Sequence, residues 1–353
     1  MSDTVPQSLL FIATRVERRL EEFLQTEEHR WSDFDEDLLQ PVTEIRRLTL
    51  SGGKRLRPAF SHWGFVGAGG DADDPCIIDT GAALELLHGF ALFHDDIMDG
   101  ATSRRGVPVT HEVFAAEHRK RGSAGEDRRY GEGVAILVGD LAFVYSDRLI
   151  AGINDRARRI WDEMRIELNI GQILDLMGSA RQERRPIKTE RICRYKSGKY
   201  TVERPLHLGA LIAAPERASE LLPLLSDYGL PLGDAFQMRD DVMGAVGDAA
   251  ITGKPVGDDI REGKPTPLLA LTCARATSDQ MELLGRVGRV VLGDDEVREV
   301  QNIMRATGAL DAMEETIDGL VNEAIAALDR LPFSSAVKDE LVSMAHYVSA
   351  RTL

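Results

Sequence analysis

A chain of 353 residues with 43 basic and 58 acidic side chains has a formal charge of −15. It is long enough to bury a large core, and its acidic balance argues against nucleic acid or an anionic membrane as a main partner. A polyanionic ligand would have to be met by a local cationic site or by metal. Cys76, Cys193 and Cys273 are odd in number and far apart, which fits neither a disulfide framework nor a zinc site. Met1 to Gln7 is polar and lacks the apolar core of a signal peptide, and no apolar run reaches membrane-spanning length. The expectation is a soluble, cytoplasmic protein without a transmembrane segment. Proline is sparse, helix formers dominate and no run alternates as strands do, so the predicted class is all-α.

Taken in order, residues 8–30 place Leu9, Phe11, Ile12, Val16, Leu20, Phe23 and Leu24 at helical spacing, which predicts a packing helix. A second short helix is predicted over 38–50. Gly52-Gly53 breaks it, Lys54, Arg55 and Arg57 follow, and Pro58 is expected to start the next helix. A glycine pair ahead of three cations and a helix start suits a diphosphate, because backbone N–H groups and fixed positive charge converge there.

The apolar run GAALELLHGFALF predicts a buried helix that leads into His94-Asp95-Asp96-Ile97-Met98-Asp99. On a helix Asp95 and Asp99 stand one turn apart, pointing within about 40° of each other. Two carboxylates at the end of an apolar helix repel each other unless a cation sits between them. Hard oxygen donors at this spacing suit Mg²⁺, which takes the rest of its shell from water and substrate phosphates. His88 lies about two turns earlier on nearly the same face. Residues 118–133 are polar and glycine-rich, which predicts a surface loop, with helix resuming at Val134. Further on, Gln172 and Asp175 share a helix face. A second acidic cluster, Phe236-Gln237-Met238-Arg239-Asp240-Asp241-Val242-Met243-Gly244, again follows an apolar helix. Two such clusters can face each other across a helical bundle. Beyond Leu269 the chain reads as amphipathic helix.

DDIMD followed by Arg104-Arg105-Gly106, GGKRLRP at Gly52 to Pro58, and FQMRDDVMG running on into TGKPVGDDIREGKPT make the chain resemble the trans-prenyltransferases, the head-to-tail isoprenyl diphosphate synthases. The likeness runs from about Leu48 to Leu269, with several separately spaced motifs in the family's order. It implies a single domain over residues 1–353, a large helical bundle of the isoprenoid synthase type with a central prenyl-chain cavity. It also implies a homodimer and three Mg²⁺ per active site, held by Asp95, Asp99 and Asp240 with Asp96 and Asp241 beside them. The resemblance assigns Lys54, Arg57, His88 and Arg105 to isopentenyl diphosphate. It puts Arg104, Gln172, Asp175, Lys196, Lys254 and Lys264 around the allylic prenyl diphosphate, with Ser197 and Gln237 facing the developing cation. Lys196 and Ser197 match the family's helix break.

Two positions depart from the family pattern. Gly244 replaces the third acid of the second motif, where Asp248 could partly substitute, and Pro265 replaces a basic residue. The resemblance also offers Arg351, near the C-terminus, as a cap for the homoallylic pocket. Chain length in this family depends on the positions four and five before the first aspartate. Here these are Ala91 and Phe90, a pattern that resembles geranylgeranyl diphosphate synthases. Two rivals stand beside this reading. A class I terpene cyclase would not need the isopentenyl site, and a non-catalytic subunit would have lost acidic motifs.

Overall fold

The computed structural model describes residues 5–104, 106–247 and 257–349. It is an all-α bundle whose first ten helices are α1 (Gln7–Phe34), α2 (Leu39–Leu50), α3 (Leu56–Gly67), α4 (Pro75–Met98), α5 (Thr110–Arg121), α6 (Asp127–Leu149), α7 (Asp155–Arg181), α8 (Pro186–Cys193), α9 (Arg204–Ala213) and α10 (Ala218–Val246). Shorter helices follow at Asp258–Glu262, Pro267–Arg275 and Ser278–Leu284, and Asp294–Ala306, Ala309–Ala327 and Ser335–Ser349 complete the bundle. The sheet content described is one two-residue pair, with Ser103 opposite Pro108 and Arg104 opposite Val107.

α4 is the central helix. The Asp74 side chain caps its start by accepting from Cys76 N–H, and Pro75 sits where no N–H is needed. Residues Thr80 to Leu87 are buried all round, as a core helix requires. α4 is in fact long and apolar enough to cross a membrane by composition, contrary to the expectation for any run in this chain, yet most of that stretch is buried inside the bundle. α1 packs its Leu9, Ile12, Val16, Leu20 and Leu24 stripe against this core, as its spacing predicts, with Phe23 partly buried beside it, whereas Phe11 is 58% exposed and lies off the packed face.

Three local expectations need correction. α3 starts at Leu56, two residues before Pro58, because Arg55 adopts a left-handed conformation at its N-cap (φ 49°). Pro58 still falls in the first turn, where its missing N–H is harmless. Residues 118–133 are mostly helix: α5 continues through Arg121 and stops at Gly122 in the left-handed region, and α6 begins at Asp127. One glycine there serves packing. A Cβ at Gly131 would lie 2.2 Å from the His111 carbonyl oxygen, so α5 and α6 approach closely only without a side chain.

The expected helix break at Lys196-Ser197 is a ten-residue π-helical turn, Arg194–Glu203, that joins α8 to α9. Pro205 lacks the N–H that would bond the Thr201 carbonyl in a regular α-helix, which favours the wider turn. Glycines let the turn sit tightly between α7 and α10. A Cβ at Gly171 would be 2.4 Å from Lys196 N, and one at Gly233 would be 2.5 Å from Gly198 O.

Candidate active site

One cavity of about 670 Å³ opens between the α2–α3 turn, α4, α7, the π-helical turn, α10 and residues 258–267. Asp95 from α4 and Asp240 and Asp241 from α10 line it together, so the two acidic helix ends do share a space. Gly52, Gly53, Lys54 and Arg57 line it too, and Leu48, Leu92, Leu168, Ile192 and Phe236 supply apolar wall. Gly52 and Gly53 have φ of 93° and 150°, a backbone that residues with side chains rarely adopt.

The acidic end is wired to cations. Lys196 Nζ donates to Asp175 Oδ2 at 2.5 Å and to Asp95 Oδ1 at 3.4 Å. Burial pulls this ammonium's pKa down, but the two carboxylates outweigh it and hold the group above its usual range. Lys264 Nζ lies 2.9 Å from Asp99, 3.0 Å from Glu262 and 3.6 Å from Asp259. It too is buried, and those acids raise its pKa well above the ordinary value. Gln172 Nε2 donates to Asp95 at 2.9 Å, and Gln237 Nε2 donates to Asp241 at 2.8 Å. Burial raises the Asp241 carboxyl's pKa well above the usual carboxylate range, with Asp259 and Asp240 adding to it against the Gln237 hydrogen bond.

The basic end is built differently. The Arg57 guanidinium lies over the Tyr200 ring, 4.2 Å from its centroid, and donates to Thr201 Oγ1 at 3.0 Å. His88 lines the cavity with its ring 6.2 Å from that of Tyr200. Arg55 lines the cavity as well, but its buried guanidinium is committed to Glu85 and Glu17 and donates to the Thr49 carbonyl at 2.7 Å. Of the three cations after the glycine pair, Arg55 is thus the structural one.

Most sequence-predicted residues converge: Lys54, Arg57, His88, Ala91, Asp95, Arg104, Gln172, Asp175, Lys196, Ser197, Gln237, Asp240, Asp241 and Lys264 all line the cavity. Asp99 joins through Lys264. Asp96 does not line it. It is buried, and its Oδ1 accepts from Arg104 Nε and Nη2 at 2.9 and 2.7 Å, so Asp96 orients that arginine. Phe90 is not among the lining residues either. About 100° round the helix from Ala91, its ring packs on Phe143 of α6 and on His94, at 4.8 and 4.7 Å. Arg105, Asp248, Lys254 and Arg351 lie outside the described residues.

Sequence reasoning missed Asp259. Gly244 leaves room for it: a Cβ on Gly244 would meet Asp259 Oδ2 at 2.0 Å. A carboxylate therefore stands beside the position that lacks its acid, delivered from another stretch of chain. The signal was the Asp258-Asp259 pair six and five residues before Lys264. α10 runs unbroken through Gly244 to Val246.

The donor set fits a hard divalent cation. It is oxygen-rich, and the Lys196 and Lys264 ammonium groups already stand among carboxylates where positive charge is needed. Among the described residues no three His, Cys, Asp or Glu side chains converge on one point, so an ion here would complete its shell with water or substrate oxygens.

The polyprenyl synthetase family model matches residues 40–305. The chain is 31% identical over 306 residues to the geranylfarnesyl diphosphate synthase of Aeropyrum pernix, covering 84% of this chain and 89% of that protein. It is likewise 31% identical to the geranylgeranyl diphosphate synthase of Mycobacterium tuberculosis, over 79% and 75% of the two chains. The fold superimposes on a geranylgeranyl pyrophosphate synthase of Corynebacterium glutamicum, crystallised with isoprenyl diphosphate and magnesium. There the TM-score is 0.91, with 35% identity over 97% of this chain and 99% of that one.

Proposed function

The chain is a trans-prenyltransferase of the polyprenyl synthetase family, and from that premise we propose that it condenses isopentenyl diphosphate head-to-tail with an allylic diphosphate to give a twenty-carbon product. The observation that carries the reading is the shared cavity, which Asp95, Asp240, Lys54 and Arg57 line together with the apolar side chains of Leu48, Leu92, Leu168 and Phe236.

Lys54 and Arg57 bind the isopentenyl diphosphate, the Arg57 fork held in place by Tyr200 and Thr201. Lys196 and Arg104 hold the allylic diphosphate at the acidic end. Asp95, Asp99 and Asp240 would hold magnesium, which would neutralise the leaving group's charge. When the C–O bond breaks, diphosphate leaves with the electron pair and an allylic cation remains. The Gln237 side-chain oxygen and Ser197, both on the cavity wall, face that cation. The double bond of isopentenyl diphosphate attacks it, and the released diphosphate takes the proton, so no dedicated protein base is needed. Leu92, Leu168 and Phe236 keep water from quenching the cation.

Ala91 lines the cavity, and beyond it Leu84, Leu87, Trp161, Met164, Leu208 and Leu211 form a filled cluster that would stop a growing chain. Phe90 closes the same region from the α6 side. The relatives' names span more than one product length, so product sizing is the test. The protein, Mg²⁺, labelled isopentenyl diphosphate and each short allylic starter should give a twenty-carbon diphosphate. Ala91→Phe should shorten the product and Phe90→Ala lengthen it. If neither variant changes the product length, the floor assignment is wrong. If isopentenyl diphosphate is not consumed, a cyclase or a non-catalytic subunit becomes the better reading.

A homodimer is part of the proposal. Ile166, Ile170, Ile173 and Met177 form one exposed apolar stripe on α7, and Ile136, Leu137 and Val144 are exposed on α6. A sedimentation mass of one 38.9 kDa chain would overturn it.

A further inference from the structure

Behind the π-helical turn, away from the cavity, lies a second ion cluster. Glu167 of α7 is 6% exposed. Its carboxylate accepts from Lys199 Nζ inside the turn, and from Arg204 Nε and Nη2 just beyond it at 2.6 and 2.7 Å. Glu203 is 4% exposed, 3.7 Å from Lys199 and 3.9 Å from Arg204, and accepts from Ser226 Oγ at 2.7 Å. None of these four charged residues lines the cavity.

Two acids and two bases buried together are a poor source of stability, since well-packed apolar side chains of the same volume often do as well or better. Such a cluster can instead select one backbone geometry. The geometry here is unusual, because the turn it grips is π-helical, and such turns recur at functional sites. From this one turn Lys196 reaches Asp95 and Asp175, while Tyr200 and Thr201 hold Arg57. Both diphosphate sites of the function proposed above therefore depend on its register.

We infer that Glu167 is a positioning residue, which fastens the π-helical turn through Lys199 and Arg204 so that Lys196 and Arg57 are presented to their substrates together. The inference rests on the condensation reading, and its test separates the two. Glu167→Gln leaves two buried cations facing Glu203 alone, and both melting temperature and kcat should fall, kcat by about tenfold. Glu167→Gln combined with Lys199→Met restores charge balance, leaving Arg204 with Glu203. Melting temperature should recover, while kcat stays about tenfold down and KM for isopentenyl diphosphate rises several-fold. Glu167→Asp, which keeps the charge, should regain part of kcat. If kcat and KM return with the melting temperature in the double variant, Glu167 only balances charge and the inference fails. Amide hydrogen exchange gives a readout independent of activity. Exchange across 194–203 should accelerate in the double variant, and unchanged protection would also overturn the inference. An inactive wild-type enzyme would instead sink the functional reading.

Discussion

The two ion clusters on either side of the π-helical turn are made of the same residue types and behave oppositely. On the sealed side Glu167 and Glu203 meet Lys199 and Arg204, and the charges cancel. On the cavity side Asp95, Asp175, Asp240, Asp241 and Asp259 line the wall with Lys196 and Lys264, while Arg104 is committed to Asp96. Within 4 Å of the Lys196 and Lys264 ammonium groups stand the carboxylates of Asp95, Asp175, Asp99, Asp259 and Glu262, so acids outnumber cations around these two lysines, and the cavity gives access to water and ligand. A balanced, sealed cluster fixes shape, whereas an unbalanced, open one is a demand for further positive charge. That contrast, more than any single aspartate, distinguishes the binding site from the scaffold.

Three perturbations probe the contrast, in order of expected size. Asp240→Asn removes a charge from the unbalanced side. Turnover should fall by about 10³-fold or more, with a higher Mg²⁺ concentration needed for half-maximal rate in steady-state assays. Wild-type Mg²⁺ dependence in this variant would show that the deficit does not recruit the ion. Lys196→Met removes a fixed cation from the same side. A loss of about 10²-fold in kcat is expected, smaller because the remaining positive charge covers part of the role; a loss confined to KM would mean that Lys196 only binds.

The smallest effect is on stability against pH, and it belongs to the sealed side. Burial, helped by Arg204, lowers the His207 pKa from its ordinary value to about 3. The unfolded chain therefore takes up a proton that the folded chain refuses. The contribution of His207 to stability is complete above about pH 6.5 and is lost as pH falls toward about 3, by up to about 1.4 kcal/mol per pH unit. Glu167 acts in the same sense. Burial raises its pKa, but Arg204 and Lys199 outweigh that and hold it below the usual range, so its contribution fades as pH falls through the folded value. Denaturant melts between pH 7 and 4 should show this slope, and His207→Gln should flatten it. An equal slope in the variant would assign the acid sensitivity elsewhere, with buried His62, lowered to about 4 mainly by burial, as the next group to test.

The sequence made the cavity side largely legible and the sealed side hardly at all, for a physical reason. Asp95, Asp99 and Asp240 end apolar helices, a local pattern whose electrostatic strain is visible without coordinates. The glycine pair before Lys54 was legible in the same way. Glu167, Lys199 and Arg204 are ordinary charges on amphipathic helices, and nothing in their spacing says that they meet. The resemblance marked a helix break at Lys196-Ser197 but not its π-helical form: Gly198, Gly233 and Pro205 point to that only once Gly198 and Gly233 are known to touch. Glycine also misled. Gly131 and Gly133 read as loop residues, yet both lie within α6, and Gly131 lets it press against α5. Phe90 was placed by position relative to Asp95, which fixes its height on α4 but leaves its neighbour across the interface open.

The contact between Gly244 and Asp259 bears on anyone who would redesign this protein. Restoring the acid that the second motif lacks would require the Asp259 carboxylate to swing aside, because a Cβ at 244 and Asp259 Oδ2 claim the same volume. The two positions behave as a single socket served from either of two strands of chain. A reciprocal exchange, with an acid installed at 244 and glycine at 259, would keep that socket filled once without displacing a side chain.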